Sequence, residues 1–167
     1  MKRTAYGGLF LALALICSYI ESLIPFYFGI PGVKLGLTNI VVILALYYIG
    51  TKSAFLISML RILLAGLLFG NMFSILYSLA GGMLSFLCMA LLKKSGRFKI
   101  ISISAAGGAV HNLGQITVAA ATVENRNLFF YYPVLFLAGV ITGILIGTAA
   151  QEILLRLPPD SMKKEKL

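Results

Sequence analysis

The stretch PVLFLAGVITGILIGTAA, residues 133–150, contains no charged residue and is long enough to cross most of a lipid bilayer as a helix. About 20 apolar residues, each adding about 1.5 Å along the helix axis, span the hydrocarbon core. Similar apolar runs fill most of the chain, and only short polar segments separate them. We therefore expect an all-α integral membrane protein.

The composition supports this expectation. Of the 167 residues, 60% are hydrophobic and only 11% are charged, whereas soluble domains carry about 25% charged residues. Most of the surface must therefore face lipid, and no large soluble domain fits beside the apolar runs. We expect one membrane domain covering residues 1–167.

Proline, glycine and short polar segments divide the apolar runs into six predicted transmembrane helices. The predicted helices cover approximately residues 4–27, 35–49, 53–69, 72–92, 100–123 and 130–157.

The distribution of lysine and arginine predicts the orientation. With a cytoplasmic N-terminus, eleven of the fourteen lysine and arginine residues lie on the inner side. Lys34 and Arg126 lie outside, and Arg61 lies within a helix. Both termini are then cytoplasmic, and the net charge of +9 reflects topology rather than nucleic-acid binding.

No catalytic signature is apparent. The aspartate-rich motifs that hold magnesium diphosphate are absent, since the one aspartate is Asp160, and no nucleotide-binding P-loop occurs. Cys17 and Cys88 lie in apolar runs without metal-ligand spacing. We therefore expect no enzymatic activity, no metal and no cofactor, and no ATP-driven transport by this chain alone.

Ionisable and amide side chains within predicted helices are concentrated toward the outer side. Such residues cost about 2.5–3.5 kcal/mol at mid-membrane, so each is a candidate for function. Their convergence at one depth predicts a polar solute-binding cavity that opens to the outside and is closed below. The candidates are Glu21, Asn39, Arg61, Asn71, His111, Asn112 and Gln115, with Lys34 in the preceding outer loop.

The charges predict a ligand with an anionic or strongly accepting group. Its flat or apolar part is expected to pack against Tyr77, or against Tyr27, Phe28 or Tyr131. Other interpretations remain open at this point. Arg61 and Glu21 are also compatible with a structural ion pair, and His111 with a satisfied interior residue. Asn112, Gln115 and the serines that follow Asn71 on the fourth helix are compatible with helix packing.

Two helices carry small residues at intervals of four. Gly139, Gly143 and Gly147 on the sixth helix are expected to pack within the bundle. Thr4, Gly8 and Ala12 on the first helix predict a docking surface for another membrane protein.

Five segments carry a family resemblance: ESLIP (21–25), PGVKLGLTNI (31–40), LLFG (67–70), SLAGGMLS (78–85) and HNLGQ (111–115). They resemble one bacterial membrane family, labelled heptaprenyl diphosphate synthase component I and also called the Gx transporter family. That family is similar to the substrate-binding S components of energy-coupling factor (ECF) transporters.

The resemblance implies a six-helix vitamin- or cofactor-binding protein of the bacterial plasma membrane. Its partners would be the lipid bilayer, a transmembrane coupling protein and two cytoplasmic ATPases. The loop 26–34 corresponds to a gating lid, and Gly8 and Ala12 to an AxxxA docking motif with glycine in place of the first alanine. The alternative is a non-catalytic membrane partner of a prenyl diphosphate synthase. A free-standing carrier requires an inverted repeat, which the sequence does not show.

Overall fold

The computed structural model describes residues 2–23 and 36–157, which form six α-helices and one short 3-10 helix. The helices are α1 (Lys2–Leu23), α2 (Leu37–Tyr48), α3 (Thr51–Phe69), α4 (Met72–Ser95), α5 (Ile100–Thr122), the 3-10 helix (Arg126–Tyr131) and α6 (Tyr132–Arg156).

Four helical stretches are long and apolar enough to cross a membrane: α1, α3, α4, and α6 together with the 3-10 helix. α2 has only 12 residues, or about 18 Å of helix, which is shorter than the hydrocarbon core. α5 has 23 residues, but polar side chains near its middle, including His111, lower its hydropathy. The chain is thus a membrane protein with several spans, while the count of six and the cytoplasmic termini remain predictions.

The six helices form a closed ring in the order α1, α3, α4, α5, α6, α2. α2 also contacts α3, so it is packed against three neighbours, and half of its residues are buried. The apolar core lies along α2, where Val41, Ile43 and Leu46 are almost fully enclosed. A short helix is thus surrounded by longer ones.

The predicted helix boundaries agree with the structure to within a few residues, with one correction at the start of the sixth helix. Arg126–Tyr131 is a separate 3-10 helix, and α6 begins at Tyr132 instead of residue 130. The side chain of Asn125 accepts a hydrogen bond from the Asn127 amide at 3.0 Å and so caps this short helix. Residues 24–27, predicted as the end of the first helix, lie outside the described residues.

The glycines of α6 pack within the bundle, as predicted. A Cβ atom on Gly139 would lie 2.6 Å from the carbonyl oxygen of Gly108 on α5, and one on Gly143 would lie 2.6 Å from that of Ser104. A Cβ atom on Gly147 would lie 2.8 Å from the Cα atom of Ile101. Because only glycine allows this approach, α5 and α6 are in backbone contact over about two helical turns.

Candidate functional site

A polar cavity opens at the end of the bundle where α1 and α3 end and α2 and α4 begin. Its empty volume, including the part that opens outwards, is about 750 Å³. The volume that a water-sized molecule can occupy is about 120 Å³, which is smaller than the roughly 300–1,000 Å³ of common ligand pockets. The lining residues are Ser18, Glu21, Ser22, Gly36, Thr38, Asn39, Arg61, Ile62, Ala65, Gly66, Phe69, Gly70, Ser74, Ser78, His111 and Gln115.

Glu21 of α1 holds the N-terminus of α2. Its Oε1 accepts a hydrogen bond from the Leu37 amide at 2.9 Å, and its Oε2 accepts one from the Thr38 hydroxyl at 2.7 Å. The hydroxyls of Ser18 and Thr38 are also within hydrogen-bond distance, at 3.2 Å. A carboxylate at this position satisfies an amide that has no partner within the helix and complements the positive end of the helix dipole.

Arg61 projects from the middle of α3 into the same cavity. Its Nε atom is buried and has no hydrogen-bond partner among the described residues. In the part of the chain that the structure describes, Arg61 and Glu21 do not form an ion pair, because the Glu21 carboxylate is turned toward α2. Glu21 still attracts Arg61 electrostatically, so the alternative of a structural pair holds at most as an attraction without direct contact.

His111 and Gln115 reach the cavity because glycines bring α4 and α5 close together. A Cβ atom on Gly81 would lie 2.8 Å from Cγ of Gln115 and 2.9 Å from the His111 carbonyl oxygen. A Cβ atom on Gly114 would likewise lie 2.8 Å from the Ala80 carbonyl oxygen. Because they are four residues apart, both side chains lie on one face of α5. Gly81 has no side chain, which leaves room for them beside α4.

The structure gathers most, but not all, of the candidate ligand-binding residues around this cavity. Those that line it are Glu21, Asn39, Arg61, His111 and Gln115. Those that do not are Asn71, Tyr77 and Asn112. Lys34, together with Tyr27, Phe28 and the proposed lid 26–34, lies outside the described residues.

The residues that miss the cavity have structural contacts instead. Nδ2 of Asn112 donates a hydrogen bond to the Leu135 carbonyl oxygen of α6 at 2.6 Å. Asn71 caps α4, where its side chain accepts a hydrogen bond from the Ser74 amide at 2.8 Å. The Tyr77 ring stacks on Phe73. These three side chains are thus not among the residues that line the cavity, and their predicted role in substrate binding stays a prediction.

Ser18 and Thr38 line the cavity although the sequence did not single them out. Ser18 lies three residues before Glu21, on the same face of α1. Thr38 follows Gly36, whose positive φ of 73° marks the start of α2. These sequence positions alone do not identify a lining residue, because serine and threonine in membrane helices commonly serve packing alone.

A second, smaller cavity extends further into the bundle, with an empty volume of about 260 Å³. Asn39 lines both cavities, and the second is bounded by Ser85, Ser104 and Thr142. Polar groups therefore extend below the main cavity, into a region that the sequence suggested was mainly apolar.

The small-residue face of α1 is exposed. Thr4, Gly8 and Ala12 are all accessible, and no atom of another element lies within 4 Å of a Cβ built on Gly8. Among the described residues, this face has no packing partner in the bundle, in contrast to the glycines of α6.

The fold and cavity define a multi-helix membrane protein with a polar pocket at one end of its bundle. In the described residues, no cluster of histidine, cysteine or acidic side chains is arranged to hold a metal ion. The chain belongs to the family described as "Heptaprenyl diphosphate synthase component I", whose family model matches residues 10–153. Comparisons with curated proteins and with solved structures give no match.

Proposed function

We propose that this protein is the substrate-binding S component of an ECF-type importer of the bacterial plasma membrane. The observation that carries the proposal is the polar cavity, in which the buried Nε atom of Arg61 has no acceptor among the described residues. A buried cation in a membrane helix is costly and usually serves a ligand or a transport path.

The proposed topology has six spans with both termini in the cytoplasm. The excess of lysine and arginine near one side supports this orientation. It directs the C-terminal end of α1 outwards, and with it Glu21 and the mouth of the cavity. An importer subunit requires this arrangement, because it must capture its solute on the outer side.

The exposed face of α1 supplies the proposed docking surface. Gly8 and Ala12 form a flat strip on which a helix of the coupling protein packs closely. Since no P-loop is present, the energy for transport is proposed to come from the coupling protein and two ATPases.

Co-purification with a coexpressed coupling protein and its ATPases tests this function. Gly8→Leu places a bulky side chain on the docking strip, whereas Gly7→Leu places one on the adjacent face. A Cβ atom added to either glycine would have no other element within 4 Å, so both variants should fold. We expect Gly8→Leu to abolish capture and Gly7→Leu to retain it. Failure of the parent protein to capture the module contradicts the proposal.

The second candidate is a non-catalytic membrane partner of a prenyl diphosphate synthase. The name of the family favours it, because that name describes one component of a synthase. Capture of a soluble synthase, with no capture of the coupling module, would support this function. The chain is proposed to be non-catalytic, since its one aspartate, Asp160, cannot form the paired aspartate motif that binds magnesium diphosphate.

A further inference from the structure

The described lining of the polar cavity contains one positive and one negative side chain, but only the negative one has hydrogen-bond partners among the described residues. Arg61 and Glu21 are the charged residues among the described lining residues, and His111 is the titratable neighbour. The two oxygens of Glu21 are engaged by the Leu37 amide and the Thr38 hydroxyl. Glu21 therefore stabilises α2. It attracts Arg61 electrostatically but forms no ion-pair contact with it within 4.0 Å, and Nε of Arg61 has no acceptor among the described residues.

A guanidinium whose Nε atom lacks an acceptor favours a flat pair of oxygen acceptors. Its N–H groups form a rigid planar fork that matches the two coplanar oxygens of a carboxylate. Neutral polar side chains also line the cavity, among them Asn39, Ser74, Ser78 and Gln115. They suit hydroxyl, carbonyl or amide groups elsewhere on a ligand.

The single permanent cation in the described lining argues against a phosphate ester or a diphosphate as the solute. A group with two or more negative charges needs a second cation or a metal ion to offset its desolvation. In the described part of the lining, Arg61 is the one permanent cation. No acidic cluster that could hold a bridging metal occurs among the described residues. A singly charged anion matches the site.

We propose that the solute carries a single carboxylate, which binds to the guanidinium of Arg61 inside the polar cavity. This inference rests on the proposed solute-binding function, and it identifies the chemical class of the solute. Ser74, Ser78, Asn39 and Gln115 contact its uncharged polar part, and Phe69 packs on its apolar part.

The test uses the purified full-length protein in lipid nanodiscs and four probes at equal ionic strength. These are benzoate, its neutral counterpart benzamide, inorganic phosphate and pyrophosphate. We expect benzoate to raise the unfolding temperature in a saturable manner, and benzamide, phosphate and pyrophosphate to have no specific effect. Arg61→Gln should weaken the benzoate response about tenfold or more, and Arg61→Lys by less, because lysine keeps the charge but loses the planar fork.

Arg156→Gln is the matched control, because Arg156 is an exposed arginine near the end of α6. It should respond to benzoate like the parent. In the absence of probe, Arg61→Gln should be at least as stable as the parent, since it removes a desolvated cation that has no ion-pair contact within 4.0 Å. A marked loss of stability would instead show a structural role and overturn the inference.

Two further outcomes also overturn it. One is a stronger Arg61-dependent response to phosphate or pyrophosphate than to benzoate. The other is the absence of any Arg61-dependent response. Capture of the coupling module by the same Arg61→Gln protein separates the two proposals. If capture succeeds while benzoate fails, the carboxylate assignment is wrong and the importer function stands.

Discussion

The Thr38 hydroxyl donates a hydrogen bond to the Glu21 carboxylate at 2.7 Å, and this contact joins the end of α1 to the start of α2. The neighbouring Leu37 amide donates to the other carboxylate oxygen. A helix of 12 residues lacks the length to span the bilayer by itself. Its position therefore depends on contacts from longer helices at its ends.

Loss of the Glu21 carboxylate should loosen α2. Glu21→Ala removes both hydrogen bonds, and we expect it to lower the free energy of unfolding by about 1–2 kcal/mol, as for the loss of other helix N-caps. Glu21→Gln retains one acceptor and should cost less. Thermal unfolding in detergent measures both variants. Glu152→Gln, in an exposed pair on α6, is the control and should have little effect.

The other end of α2 is held by Lys93. Its Nζ donates a hydrogen bond to the Leu46 carbonyl oxygen and lies 4.7 Å from the centre of the Tyr47 ring. A cation at a helix C-terminus complements the negative end of the dipole. Lys93 and Glu21 thus stabilise opposite ends of one helix with charges of opposite sign.

Lys93→Met should therefore destabilise the protein by about 1 kcal/mol, the combined order of the dipole and cation–π terms. The adjacent Lys94 is exposed, so Lys94→Met is a closely matched control that removes the same charge. Thermal unfolding of the two variants measures the difference. Equal unfolding temperatures would show that the contact with α2 contributes nothing.

Much of the fold was predictable from hydropathy, because long apolar runs and their glycine and proline breaks mark helix ends. The sequence also predicted that Arg61, His111 and Gln115 lie together, since buried polar groups in a membrane seek one another. It did not indicate that Glu21 turns toward α2. That contact depends on the placement of two helices, which local sequence does not encode.

Asn112 illustrates a second limit. It follows His111 by one residue, and one residue rotates the side chain by about 100° around the helix. His111 and Gln115 consequently face α4 and the cavity, while Asn112 faces α6. Periodicity separates these two faces, but it does not reveal which face meets the cavity.

The close contact of α5 and α6 should not tolerate a methyl group. Gly139→Ala places a Cβ atom 2.6 Å from the Gly108 carbonyl oxygen and 2.8 Å from Nδ2 of Asn112. We expect a loss of about 1–3 kcal/mol, typical of overpacking. Gly8→Ala meets open space and should unfold like the parent protein. A normal unfolding temperature for Gly139→Ala would contradict the backbone contact.

Asn112 and Gln115 should separate stability from ligand binding. Asn112→Ala removes the hydrogen bond to Leu135 and should lower stability by about 1 kcal/mol, the usual net value of such a bond. It should leave the occupancy of a co-purified small molecule unchanged in native mass spectrometry. Gln115→Ala removes a lining group, so it should reduce that occupancy. Because the side chain is 3% exposed and its Cγ atom packs closely on Gly81, we also expect a loss of about 1 kcal/mol in stability. If Asn112→Ala empties the site while Gln115→Ala does not, the cavity is not the ligand site. The solute must then bind nearer the contact of α5 with α6, beside the Leu135 carbonyl.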